Sequence, residues 1–131
     1  MGYHRQLFNW STASTTLTQM NAGTSAVAGN FFAPMNGTLQ KITIYLAFQA
    51  ATSLVQAGRV ELSQDNWALS RHEFPFNGAG LQTVPAANGG TMFAFDYAVG
   101  EPVKTDWPIT GNAIFFFSPV TPAIYVDGFF A

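Results

Sequence analysis

The sequence predicts an all-β domain, an antiparallel sandwich of two sheets with about eight strands in a jelly-roll or related Greek-key arrangement. Three observations predict this fold class. Apolar residues recur at every second position in several segments, turn residues separate these segments, and no sustained 3.6-residue period is present. Because the chain has 131 residues, it has the size of one domain.

The alternating segments predict the individual strands. They cover residues 42–48, 59–63, 91–99, 113–117 and 123–130. In the first three, apolar side chains occupy one face, which is typical of half-buried strands. The fourth is apolar on both faces and predicts a central strand covered on each side. In the last, we expect a bulge or bend at Asp127-Gly128 that redirects Phe129 and Phe130.

Turn residues separate these strands at short intervals, and they indicate antiparallel pairing. The predicted turns are Asn36-Gly37, Asn77-Gly78, Asn88-Gly89-Gly90, Gly100-Glu101-Pro102 and Gly111-Asn112. Parallel strands would need crossover helices. Residues 49–57 are the one candidate, and they are too short for a crossover, so we predict a short helix or an ordered loop there.

The chain divides into residues 1–25, predicted as an N-terminal arm or edge strand, and residues 26–131, predicted as a single β-sandwich domain. The first segment is sparse in apolar residues. It lacks the continuous apolar run of a signal peptide. Residues 107–126 carry no charge, but three prolines would break a membrane-spanning helix there. We therefore expect a soluble chain without a membrane span.

Charge and composition exclude several functions. The chain has five Lys or Arg and seven Asp or Glu, with a net charge of -2. Because these cations form no basic cluster, contact with nucleic acid is not expected. With no cysteine, thiol catalysis is impossible and the redox compartment stays open.

Candidate catalytic and metal-binding residues are equally scarce. His4 and His72 are isolated, no spacing matches a zinc site, and the Gly-x-Ser-x-Gly motif of serine hydrolases does not occur. We therefore predict a non-enzymatic protein with no catalytic residue, no metal site and no cofactor. Because a glycosidase needs only two carboxylates, a small glycoside hydrolase remains a third hypothesis. Its candidate acids are Asp65, Glu73, Asp96, Glu101, Asp106 and Asp127.

Aromatic residues suggest a second function, a carbohydrate-binding sandwich module that takes a glycan as partner. Exposed Trp and Tyr side chains can stack on sugars, and Trp67 and Trp107 form the predicted ligand platform, with Trp10 and Tyr125 as further candidates. The alternative for both Trp67 and Trp107 is a partly buried anchor at a strand end. Thirteen of the aromatics are Phe, which favours dry packing over sugar binding.

The scarcity of charge favours a subunit of an assembly, which is the leading hypothesis. A small sandwich with few charges exposes apolar surface, and such surface normally marks an interaction site. The predicted interface residues are Phe31, Phe32, Met35, Asp96, Phe129 and Phe130. For the phenylalanines and Met35 the alternative is ordinary core packing. Asp96 either maintains solubility or accepts a hydrogen bond from a neighbouring subunit.

A resemblance gives this hypothesis a biological setting. Residues 32–44, an extended segment followed by an Asn-Gly turn and an alternating strand, resemble the openings of small β-sandwich domains in viral and phage structural proteins, such as capsid jelly rolls, decoration proteins and fibre heads. Carbohydrate-binding jelly rolls begin similarly, and residues 124–128 are similar to their closing strand. The resemblance implies a virion location, a homo-oligomer or a complex with other virion proteins, and no catalytic residues.

Overall fold

The computed structural model describes residues 2–10, 14, 16–23, 29–48, 58–64, 72–76, 82–84, 91–116 and 122–131. Within these ranges the chain forms eleven strands and no helix. They are β1 (Tyr3–Trp10), β2 (Thr18–Gln19), β3 (Asn21–Ala22), β4 (Asn30–Phe32), β5 (Gly37–Phe48), β6 (Gly58–Ser63), β7 (His72–Phe76), β8 (Gln82–Val84), β9 (Thr91–Val103), β10 (Pro108–Phe115) and β11 (Ala123–Phe130). The predicted loop or helix at residues 49–57 and the turns at 77–78 and 88–90 lie outside the described residues.

The strands form two antiparallel sheets, which confirms the predicted β-sandwich. Sheet A has the order β3-β1-β11-β5-β9-β8. Sheet B has the order β2-β10-β6-β7, and β4 pairs with β10 beside β2. Every pair of neighbouring strands is antiparallel.

The order of the strands is that of a jelly roll. When the short strands β2, β3 and β8 are set aside, eight strands remain. The first of these pairs with the last (β1 with β11), the second with the seventh (β4 with β10), the third with the sixth (β5 with β9), and the two middle strands with each other (β6 with β7). This nested pairing, divided between two sheets, is the jelly-roll arrangement of two Greek keys.

The core lies between the sheets and is built from the alternate residues that the sequence pattern identifies. On β5, Ile42, Ile44 and Leu46 are fully buried, and on β11 Ile124 and Val126 are fully buried. Burial of these side chains removes apolar surface from water, which is the main favourable contribution to folding. One face of each of these strands therefore holds the two sheets together.

Two predicted turns lie inside strands instead. Gly111 belongs to β10, and its missing side chain is required there because a Cβ would come within 2.8 Å of the buried Phe8 ring. Gly100 belongs to β9, where its φ of 77° and a shift in the pairing with β5 mark a bulge. In both cases glycine serves close approach or positive φ within a continuous strand.

The predicted redirection at Asp127-Gly128 is also wrong, because β11 keeps its alternation to the end. Gly128 and Phe130 are buried, and Phe129 between them is partly exposed on the opposite face. The irregularity lies on the neighbouring strand, where Gln40 of β5 is the extra residue in the pairing. The bulge in the β5–β11 pairing is therefore on β5, and β11 itself remains regular.

The described part of residues 1–25 contains three strands of the sandwich, of which β3 lies at the edge of sheet A and β2 at the edge of sheet B. β1 lies between β11 and β3 and pairs with β11 along its length. Leu7 and Phe8 are both fully buried, because a register shift between Gln6 and Phe8 lets two consecutive side chains point into the core. Since only the two-residue strand β3 lies outside it, β1 is next to the edge of sheet A.

Candidate functional site

The predicted interface residues of β4 divide between the core and the surface. Phe31 packs inward, edge-on to Phe8 at a centroid distance of 6.3 Å and stacked on Phe130 at 6.0 Å. Phe32, the next residue, points the other way and keeps 53% of its surface exposed. Met35 is partly buried against the core. Phe32 is therefore the exposed aromatic residue of this strand.

The prediction that Phe130 lies at a subunit interface is wrong. Its side chain is fully buried in the single sandwich, because β11 retains the alternation that directs even-numbered residues inward. Phe129 and Asp96, by contrast, line one depression on the outer face of sheet A. The structure thus brings together two of the predicted interface residues on a surface that Phe32 does not share.

Large exposed apolar side chains concentrate beside β10. Among the described residues, five such side chains are exposed, and four of them lie next to an end of β10 or on a strand or loop beside it. Phe32 pairs with Pro108, the residue after Trp107, and Leu17 and Phe116 lie near the opposite end of the strand. We call these four residues the β10 edge surface: Leu17, Phe32, Trp107 and Phe116. Phe32 and Trp107 lie at the start of β10, and Leu17 and Phe116 lie near its end.

Trp107, predicted as part of a ligand platform, belongs to the β10 edge surface. It is 40% exposed, and the Lys104 ammonium lies 4.9 Å from the centre of its ring. Trp10 is buried in the core, and Trp67 lies outside the described residues. In the described part of the chain, Trp107 is therefore the one tryptophan exposed enough to stack on a ligand.

The outer face of sheet A carries a second set of side chains, from three adjacent strands. Tyr125 of β11 lies directly opposite Tyr45 of β5. In the next row, Thr43 of β5 lies between Asp127 of β11 and Asp96 of β9. We call these five residues the tyrosine face: Thr43, Tyr45, Asp96, Tyr125 and Asp127. Alternation places all five on the side of the sheet away from the core.

Each carboxylate of the tyrosine face has a basic neighbour. The Thr43 hydroxyl donates a 2.7 Å hydrogen bond to Asp96 Oδ1, and Lys41 Nζ lies 3.9 Å from the same oxygen. His4 Nε2 lies 3.9 Å from Asp127 Oδ2. The charges of this surface are therefore locally compensated when His4 is protonated.

Burial affects the titration of two residues of this face. It raises the pKa of the Asp127 carboxyl, and the opposing influence of His4 is smaller. It also raises the pKa of the Tyr45 hydroxyl, to which Asp127 and then Asp96 add by repulsion of the phenolate. Tyr45 therefore stays a neutral hydrogen-bond donor and acceptor near neutral pH.

Two open depressions meet at Tyr45. One, of about 370 Å³, is lined by His4, Lys41, Phe129 and part of the tyrosine face, including Asp96. The other, of about 410 Å³, is lined by Tyr45, Tyr125, Asp127, Gln6 and Met92. Small-molecule sites usually occupy about 300–1,000 Å³. Each depression has the volume of a small ligand site.

His72, the second isolated histidine, connects the two sheets. Its Nε2 lies 3.1 Å from Glu101 Oε1, and the pair joins β7 of sheet B to β9 of sheet A. Both side chains border an apolar cavity of about 40 Å³ between the sheets. This volume is room for one or a few waters, so the pair closes one end of the core.

The acids of the hydrolase hypothesis are dispersed over the molecule. Glu73 and Asp106 are exposed on other surfaces, Glu101 pairs with His72, and Asp65 lies outside the described residues. Asp96 and Asp127 are the two that share a face. In the described ranges, no three His, Asp or Glu side chains converge as metal ligands, and no helix has the length and apolar character to cross a membrane.

Comparison with protein families, with curated proteins and with solved structures found no match for this chain.

Proposed function

We propose that the protein is a non-enzymatic structural subunit of a virion, of the capsid, decoration or fibre type, which assembles with itself or with other virion proteins through apolar, aromatic-rich contacts. The observation that carries this proposal is the β10 edge surface, and above all its exposed Phe32 and Trp107. Aromatic residues of this kind are enriched at protein interfaces, where charged residues are depleted.

The energetics of this surface favour association. Complete burial of a side chain such as Phe32 contributes about 1.5–3 kcal/mol relative to leaving it exposed. Phe32 is 53% and Trp107 40% exposed in the single chain, so burying the exposed part of both on a partner would offset part of the entropic cost of association. In a monomer the exposed parts of both side chains remain in water.

The edge of sheet B gives a second reason to expect contact with another subunit. β4 pairs with β10 on one side, and no strand of the described chain is hydrogen-bonded to its other side. β4 has the sequence Asn-Phe-Phe, without a lysine or proline. Charged residues or prolines usually protect such edges against pairing with another chain. An edge with exposed aromatics and no such protection favours contact with a neighbouring subunit.

The virion setting rests on the resemblance of residues 32–44 to viral structural domains, and the jelly-roll fold supports it, since viral capsid subunits are among the proteins that use this fold. The small number of charges supports it as well. Charged side chains keep a free monomer soluble. A subunit whose surface is mostly covered by neighbouring subunits needs fewer of them.

Negative-stain electron microscopy of the purified protein tests this proposal. We expect rings, shells or other closed particles of uniform size, and we expect the double variant Phe32→Ser/Trp107→Ser to give dispersed single molecules. Tyr3→Ser is the matched control, because Tyr3 is an exposed aromatic residue of sheet A. Single molecules of wild-type protein at high concentration, without added virion proteins and with them, would contradict the proposal.

A further inference from the structure

The tyrosine face has the composition of a binding surface that the assembly role leaves unused. Side chains directly opposite each other on antiparallel strands have Cβ atoms about 4.5–5.5 Å apart. Tyr45 and Tyr125 occupy such positions and are both partly exposed. Two amphipathic side chains thus occupy facing positions on an open face, with hydroxyl groups that can donate and accept hydrogen bonds.

Hydrogen-bonding groups lie in the cross-strand row next to this aromatic pair, at a spacing suited to an extended ligand. Asp127 and Asp96 are separated by one intervening strand. Because neighbouring strands are about 4.8 Å apart, their Cα atoms are about 10 Å apart. Carboxylates are strong acceptors for hydroxyl donors. A ligand that crosses the strands in this row would therefore meet one carboxylate at each end and Thr43 between them, with Tyr45 and Tyr125 in the adjacent row.

The charge balance of the face selects the class of ligand. Asp96 is close to Lys41, and Asp127 is close to His4. Because Lys41 compensates Asp96, these four residues carry a net charge of -1 with His4 neutral and of zero with His4 protonated. The surface therefore has no positive potential to attract a phosphate and little negative potential to attract a polycation. Its recognition chemistry is stacking together with many hydroxyl-type hydrogen bonds, which fits a neutral polyhydroxylated molecule.

We propose that the tyrosine face binds a neutral oligosaccharide, with Tyr45 and Tyr125 stacking on sugar rings and Asp96 and Asp127 accepting hydrogen bonds from sugar hydroxyls. The two depressions that meet at Tyr45 give the chain of sugars a path across β11, β5 and β9. Trp107, the tryptophan of the sequence-based platform, lies outside this path. The site is independent of the assembly role, because none of its residues belongs to the β10 edge surface.

The test is a titration of the uniformly ¹⁵N-labelled full chain, followed by amide chemical shifts. The probes are five neutral hexasaccharides: cellohexaose, xylohexaose, mannohexaose, maltohexaose and chitohexaose, each taken to millimolar concentration. We expect at least one of them to shift amides of β5, β9 and β11 and to leave those of β6 and β7 unchanged. Tyr125→Ala and Tyr45→Ala should each weaken binding about tenfold or more.

Two further variants keep the test decisive. Trp107→Ala is the matched control, and it should leave the affinity unchanged within about twofold. Asp127→Asn retains the size of the side chain, so it keeps the fold if an alanine variant unfolds; it should weaken binding about tenfold through loss of a charged acceptor. No shift with any of the five sugars, shifts located elsewhere, or an equal loss in Trp107→Ala would overturn the proposal.

Discussion

Phe31 and Phe130 stack on each other inside the sandwich, with ring centroids 6.0 Å apart and an angle of 15° between the ring planes. The contact joins β4 of sheet B to β11 of sheet A, so it holds the two sheets together. Because Phe130 is fully buried, we expect Phe130→Ala to lower the free energy of unfolding by about 3–5 kcal/mol. Denaturation in urea would measure the change.

Phe32→Ala is the matched control for this substitution, since Phe32 is exposed on the same sandwich. It should change stability by less than about 1 kcal/mol. Equal effects of the two substitutions would mean that Phe130 is not a core residue of the single chain.

β1 provides the second prediction. Deletion of residues 1–10 removes a strand that is hydrogen-bonded to both β11 and β3, and it exposes the cavity left by Leu7 and Phe8. We expect the truncated chain to lose its cooperative thermal transition, as followed by circular dichroism. A melting temperature equal to that of the full chain would instead indicate the detachable arm that the sequence also allowed.

Gly111 provides the third prediction, because its position on β10 leaves no space for a side chain. A Cβ would come within 2.8–2.9 Å of three carbon atoms of the Phe8 ring, which is itself fully buried. We expect Gly111→Ala to destabilise the protein by about 1–3 kcal/mol, measured by urea denaturation. Gly29→Ala is the control, since nothing lies within 4 Å of its added Cβ. Equal stability of both variants would refute the close approach.

The burial of Asp127 predicts a dependence of stability on pH. Because burial raises the pKa of its carboxyl above the usual 3.8, the ionised form costs the native state free energy at neutral pH. As pH falls through the folded-state pKa and then the unfolded-state pKa, both states become protonated and this cost disappears. We therefore expect Asp127→Asn to stabilise the protein at neutral pH and to lose that advantage in acid.

Melting temperatures between neutral and acidic pH would measure this difference. Asp106→Asn removes an exposed carboxylate, and it should alter stability by no more than about 0.5 kcal/mol. A melting temperature of Asp127→Asn below that of the wild type at neutral pH would show that attraction to His4 outweighs the cost of burial.

Much of the fold could be predicted because burial follows alternation on half-buried strands. β5, β9 and β11 carry their core residues at the positions that the sequence pattern gives. On β6, Val60 and Leu62 are buried as the pattern predicts, but Glu61 and Ser63, which alternation places on the outer face, are buried as well. The turn predictions at Gly100 and Gly111 were wrong for one physical reason. Glycine permits a bulge or a close ring contact within a strand as well as a turn between strands, and its neighbours in sequence do not distinguish these uses.

The candidate surfaces were harder to predict, because they depend on which strands become neighbours. Tyr45 and Tyr125 are eighty residues apart in sequence, and only the pairing of β5 with β11 places them side by side. Phe31 and Phe32 illustrate the same limit at short range. Both belong to one apolar run, and the face of β4 that meets the core decides which of them is exposed.

Sedimentation velocity over a range of protein concentrations measures whether the protein assembles through the β10 edge surface. The wild type and Tyr3→Ser should sediment as oligomers whose mass is a fixed multiple of 14.2 kDa, and Phe32→Ser/Trp107→Ser should sediment as a folded monomer. A wild-type chain that remains monomeric at every concentration, without added virion proteins and with them, or a double variant that assembles as the wild type does, would contradict this assembly.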